Sequence, residues 1–277
     1  MHRETDFPFR QTGVTLIEMI VAIVVMGILV AITSMFVRNQ VITYTDVAAR
    51  ADLADEADTA VRRLTRDLQA ALPNSVRVSG NFMEFVPIRD AGRYRAQKGV
   101  PADNELDFTS STDNSFEAFG PPVTVANGDQ LVINNLGIAG ADFYAGDTRR
   151  ALAAPFGALN TLTYTVGASQ FPFASSQSRF QVVSTPVTYA FDAANRTLWR
   201  YSGYAIQAAQ VVTLAGLDGL AGVTRVALAT DVDAANSSFS YAAAALQRNA
   251  IVSIRLVLTR NGESVTLFEQ VNIFNSP

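Results

Sequence analysis

The sequence predicts an α+β protein in which one long N-terminal helix precedes a large antiparallel β-rich domain. Three observations carry the prediction. From Met19 to Val37, nineteen consecutive residues lack a charge, enough to cross a bilayer's hydrocarbon core as a helix. From Val47 onward Ala51, Ala54, Ala57, Val61, Leu64, Leu68 and Leu72 step by three or four, and no proline or glycine interrupts residues 28–72. Beyond Pro73 the apolar residues alternate in the strand period and end on two runs joined by Asn261-Gly262, the preferred pair for a two-residue hairpin turn.

Within the helix, the apolar half carries one acid, Glu18, among Ile17, Met19 and Ile20. A carboxylate there is costly in lipid and marks a functional position. If the chain is cut after Gly13, the new ammonium on Val14 lies four residues before Glu18, on the same helical face. The second half is amphipathic: Asp52, Asp55, Glu56, Asp58, Arg62, Arg63 and Arg66 decorate the faces away from the stripe, and Asp58 with Arg62 makes an i,i+4 pair. A continuous helix from Val14 to Leu72 would run on the order of 90 Å, so its first half belongs in a membrane or filament. Its second half belongs on a sheet. Pro73 ends it.

Strands are expected at Val76–Ile88 as a first pair, at Leu106–Phe108, Gln130–Asn134, Arg179–Val183, Pro186–Phe191 and Thr197–Tyr201, and over 204–214 and 223–229. Residues 89–98 read as a charged loop, 102–115 as mostly loop and 137–160 as irregular. In the final hairpin, Ile251–Arg260 with Glu263–Phe274, Arg260 faces Glu263, Leu258 faces Val265, Leu256 faces Leu267 and Val252 faces Val271. Glu269 falls on that apolar face opposite Ile254, so it is either rotated out by a bulge or paired at the sheet rim.

Composition limits the chemistry. The chain of 277 residues is 49% hydrophobic and 17% charged, with a formal net charge of -4, which gives no electrostatic footprint for nucleic acid. It has no cysteine, hence neither a disulfide nor a thiolate metal site, and its single histidine is His2. Lacking the commonest general base and the commonest thiol nucleophile over the rest of its length, it is not expected to be an enzyme; carboxylate-only hydrolysis is the chemistry left open.

The run Gly13, Val14, Thr15, Leu16, Ile17, Glu18 resembles the class III signal of type IV pilins and type II secretion pseudopilins, with Val14 where that family usually has Phe. The resemblance implies a prepilin leader over 1–13, cleavage after Gly13 by a prepilin peptidase, and N-methylation of Val14. It implies that Thr15, Leu16, Ile17 and Glu18 serve recognition and assembly. The remaining divisions are then a transmembrane or filament-core helix at 14–37, its amphipathic continuation at 38–72, and a β-rich globular domain at 73–277. Expected partners are other minor and major pilins and, before assembly, the bacterial inner membrane, with the globular domain in the periplasm and later in a pilus or pseudopilus. Segments 71–78, 84–95, 179–189, 198–204 and 270–277 look most like the O-type minor pilins of mannose-sensitive haemagglutinin pilus systems, relatives of the pilin W and secretion J subunits. A J-type pseudopilin and a tip adhesin binding surface, glycan or DNA are the alternatives.

Three further clusters have a bland and a functional reading. Arg89, Arg93, Arg95 and Lys98 around Tyr94 suit a solvated loop better than a DNA contact. Asp231-x-Asp233-x-x-Asn236 has the oxygen ligands of a calcium loop but lacks the glycine and distal glutamate of an EF-hand; no other cofactor or metal is expected. Trp199, Tyr201 and Tyr204 suit sheet packing better than a sugar platform, with Tyr204 the one expected to be exposed.

Overall fold

The computed structural model describes residues 13–167, 170–243 and 249–273. Helix α1 (Leu16–Gln69) is followed by β1 (Arg77–Ser79), β2 (Phe82–Phe85), β3 (Ile88–Tyr94), β4 (Ser115–Phe119), β5 (Val123–Val125), β6 (Gln130–Val132), β7 (Arg149–Ala151) and β8 (Gly157–Leu159). Then come β9 (Thr161–Thr163), β10 (Arg179–Val183), β11 (Val187–Asp192), β12 (Thr197–Ser202), the short helix α2 (Leu214–Asp218), β13 (Thr224–Ala229), β14 (Ser238–Ala242), β15 (Ala250–Arg260) and β16 (Glu263–Ile273). This is the expected α+β order, a long helix and then a large antiparallel β-rich region.

The chain divides into two compact units, residues 1–51 and 52–277. In the first, the described residues are the start of α1, whose apolar side chains from Val14 to Val37 stay exposed. In the second, the rest of α1 lays Leu53, Ala57, Ala60, Val61, Leu64 and Leu68, all buried, on a sheet face. The buried stripe therefore begins at Leu53; Val47 and Ala51, read from the sequence as part of it, are exposed. The helix ends at Gln69, because Leu72 turns back to donate its N–H to Val86 O at 2.7 Å.

The core under the helix is shared by the sheets β1-β2-β11-β12-β13 and β14-β15-β16. Phe85, Tyr189 and Leu198 come from the first and Val252, Ile254 and Leu256 from the second. A third sheet, β7-β6-β10-β3-β4-β9, builds a separate core around Tyr94, Phe116, Tyr164 and Phe180.

The terminal hairpin has the expected register throughout, from Arg260↔Glu263 to Ala250↔Ile273. Its turn places Asn261 at φ 52° and Gly262 at φ 86°, the left-handed region that this pair tolerates. Four local readings need correction. Residues 137–160, read as irregular, contain β7 and β8, which pair with β6 and β5. Residues 89–98 are not simply a loop: Ile88–Tyr94 is β3, held between β10 and β4. Its charges hid the period, since Arg89 is neutralised by Asp129 at 2.7 Å and Asp90 accepts from the Thr124 N–H at 2.7 Å. Leu106–Phe108 is irregular, and the strand lies later, at β4. Residues 204–214 form a loop that leads into α2, whose Thr213 hydroxyl caps the helix by accepting from the Gly216 N–H at 3.1 Å.

Candidate functional site

The residues singled out at the N-terminus form one local constellation. Gly13, Val14 and Thr15 are non-helical, and α1 begins at Leu16. Thr15 Oγ1 accepts from the Glu18 N–H at 3.4 Å while Glu18 Oε2 accepts from the Thr15 N–H, also at 3.4 Å. That is a reciprocal capping box, satisfying two donors that a helix start leaves open. The T-x-x-E spacing was the sequence signal for it. Both bonds sit at the long end of hydrogen-bond range, so the Glu18 carboxylate retains capacity for a stronger, charge-assisted donor. Val14, Leu16 and Ile17 around it are exposed. The segment read as a leader lies, up to residue 12, outside the described residues.

Downstream, α1 presents an apolar surface on all sides, and its Thr33 and Ser34 hydroxyls donate to the carbonyls of Leu29 at 2.8 Å and Ala31 at 2.9 Å. No polar side chain of that turn is left seeking a partner in hydrocarbon. Among the described residues, α1 is the one helix long and apolar enough to cross a membrane.

The other clusters are placed differently. Tyr94 is buried, its hydroxyl accepting from the Ser175 N–H at 3.1 Å. Arg95 binds Asp103 at 2.8 Å and Glu117 at 2.6 Å, and Lys98 pairs with Glu105 at 3.8 Å. The basic group is thus largely neutralised within the chain and does not form a phosphate track. The Asp231 carboxylate pairs with Arg260 at 2.6 Å and Arg196 at 3.6 Å. Asp233 turns instead to its own loop, accepting from the N–H groups of Ala235 and Asn236 and from the Asn236 amide at 2.7 Å. Those bonds, the Asn236 amide foremost, outweigh burial and lower the Asp233 pKa. Among the described residues no group of three or more acids or histidines gathers as a metal site would. Tyr201 and Tyr204 are both fully buried, so the expectation of an exposed Tyr204 does not hold; its hydroxyl meets Thr188 Oγ1 at 2.6 Å. Trp199 is half-buried, with Arg225 stacked 4.8 Å from its ring centre.

Two carboxylates that the sequence reading passed over hold α1 to the β region. Glu56 accepts from the Thr230 N–H at 2.6 Å, from the Thr230 hydroxyl at 2.8 Å and from Arg260 at 3.2 Å. Asp67 accepts from the Tyr189 hydroxyl at 2.7 Å and from Arg200 at 2.8 Å. Glu56 was visible only as a solvated-face acid and Asp67 was not singled out, because their partners are more than a hundred residues away.

Residues 8–34 match the prokaryotic N-terminal methylation motif. This is the signature of type IV pilins and pseudopilins, and it makes the chain pilin-like in the segment that contains the capping box and the apolar helix. The motif belongs to structural subunits that a prepilin peptidase processes and that associate with other pilins, anchored in the membrane by one helix. No match was found among curated proteins, and none among solved structures.

Proposed function

We propose that this chain is a minor pilin of a type IV pilus of the mannose-sensitive haemagglutinin type. In this reading it is cut after Gly13, methylated at Val14, and carried by its helix from the inner membrane into an initiating or tip complex, with its β-rich domain on the periplasmic side. The observation that carries the reading is Glu18: the one acid in the apolar half of α1, capped only by long bonds to its own Thr15. Once the leader is gone, the Val14 ammonium of a neighbouring subunit offers that carboxylate a charge-assisted bond. Fixing axial register is the best-attested use of such a buried pair. The work is assembly, with no bond made or broken by the subunit itself.

Two measurements test it. Mass spectrometry of the N-terminus in cells with and without the prepilin peptidase should show a chain beginning at methylated Val14 only when the peptidase is present. Glu18→Ala and Glu18→Gln should both reach the inner membrane and both be missing from sheared filaments. Glutamine keeps the capping pattern and loses the charge, so normal assembly of Glu18→Gln would reduce Glu18 to a cap and defeat the pairing.

A further inference from the structure

The groove between the buried half of α1 and the outer edge of β16 is built for an occupant. β16 is an 11-residue strand paired to β15 along its whole length without a bulge, and its other edge has no strand partner among the described residues. In a two-residue hairpin of this register, Ser264, Thr266, Phe268, Gln270 and Asn272 turn their backbone N–H and C=O groups outward. Natural edge strands are usually closed by shortness, proline or a bulge; β16 has none of these. Beyond Glu263 at the turn, its safeguard is a charge on the inner face, Glu269, between Leu267 and Val271.

That charge has no protein partner among the described residues: Glu269 is half-buried and makes neither a hydrogen bond nor an ion pair there. The Thr65 hydroxyl on the facing helix is buried and likewise lacks a partner. Thr65, Gln69 and Glu269 line two cavities of about 500 and 460 Å³ that adjoin along the groove. Of the two arginines on the helix wall, Arg62 is held by Asp58 at 2.6 Å, and Arg66 stands exposed at the rim. Buried polar groups in folded proteins are ordinarily paired. An arriving strand completes the set: its backbone takes the β16 edge, its inward side chains fill the groove, and a base meets Glu269.

We propose that this groove docks an extended strand of another pilin-like subunit, one carrying a basic side chain opposite Glu269. The identity of the partner rests on the pilin reading above; the groove does not. The probes are short capped peptides alternating valine and threonine, with arginine, glutamine or glutamate at a central valine position. Binding to the purified full chain in detergent micelles is read by fluorescence anisotropy. The arginine peptide should bind about tenfold tighter than the glutamate peptide, and Glu269→Gln should erase that preference. Gln270→Pro, which removes one outward N–H without touching the β15 ladder, should weaken all three, with unchanged circular dichroism verifying the fold. Failure of the arginine peptide to bind, or a preference that survives in Glu269→Gln, overturns the proposal. Concentration-dependent self-association of the chain that Gln270→Pro abolishes would make the occupant a second copy, and overturns it as stated. Neither result bears on processing at Gly13, and a chain never cut there that still binds the arginine peptide loses only the pilin reading.

Discussion

Asp67 is the residue on which the seating of α1 can be tested most directly. Its Oδ2 takes the Tyr189 hydroxyl at 2.7 Å and Arg200 Nε at 2.8 Å. Tyr189 is fully buried. Burial, reinforced by the Asp67 charge, raises the Tyr189 pKa, so its hydroxyl stays a donor at any working pH. Asp67→Ala strands that hydroxyl and the guanidinium together. Breaking a fully buried charge pair costs about 3–5 kcal/mol. Here Arg200 and Asp67 are 20% and 23% exposed, and water repairs part of the loss, which brings the expectation to about 2–3 kcal/mol. The control is Asp58→Ala, which breaks the Asp58–Arg62 pair, even shorter at 2.6 Å but 44% and 75% exposed; solvent screens such a pair, so its midpoint should barely move. Urea unfolding of the full chain in micelles, followed through the single tryptophan, Trp199, measures both. Equal midpoints for the two variants at constant slope would refute the argument that distance matters less here than burial.

Three further outcomes follow from the same geometry. Glu84, bound to Arg77 at 3.0 Å, has its pKa raised by burial, which outweighs the arginine. The folded chain then keeps a proton that the unfolded chain has released, so its stabilisation is complete below the unfolded carboxylate range and lost as pH rises through the folded value. The urea midpoint of the natural chain relative to Glu84→Gln should fall as pH rises above the ordinary carboxylate range; a rise would reverse the sign of the reasoning. Gly203 sits at φ 85°, and a Cβ there would lie 2.7 Å from the Gly222 carbonyl oxygen. Gly203→Ala should cost about 1–3 kcal/mol in the same assay, whereas Gly80→Ala, also at positive φ but with open space around it, should cost less. Calcium should leave the midpoint of the natural chain unmoved, because Asp231 is committed to Arg260 and Arg196; a shift abolished by chelation and by Asp233→Asn would restore the loop as a metal site.

What the sequence made legible was whatever chemistry is local. The terminal hairpin could be read pair by pair because Asn261-Gly262 sets the turn and an alternating run then permits only one register. Even Glu269 was visible as the misfit on the apolar face, although the unbroken register rules out a bulge and its carboxylate has no ion pair among the described residues. The capping box at Thr15 and Glu18 spans three residues and is equally local. β3 stayed hidden because its Arg89, Asp90 and Arg93 resemble a solvated loop until distant Asp129 and Thr124 arrive to pair with the first two. Residues 204–214 misled in the opposite sense: Ile206 and Val211 suggest a strand, yet they pack as a flap against cores that other strands build. The helix stripe was found, but its start was placed too early, since Val47 and Ala51 continue the period yet are exposed.

The two helix carboxylates carry the last step. Glu56 and Asp67 are eleven positions apart, about three turns, so they return to nearly the same side of α1. Glu56 bridges two sheets, taking Thr230 just past β13 and Arg260 at the end of β15, whereas Tyr189 and Arg200 belong to β11 and β12. Residues 52–69 are therefore held by an apolar stripe with a polar clamp near each end. If only the stripe mattered, a slip of one turn would cost little, because Ala57, Leu64 and Leu68 recur at the helix period. The clamps remove that freedom, since a slip of one turn, about 5.4 Å, breaks both at once. The double variant of Glu56→Ala and Asp67→Ala should then lose more than the sum of the singles, with a coupling of about 0.5 kcal/mol or more. Simple additivity would mean that each clamp acts alone and that the stripe fixes the register of the helix unaided.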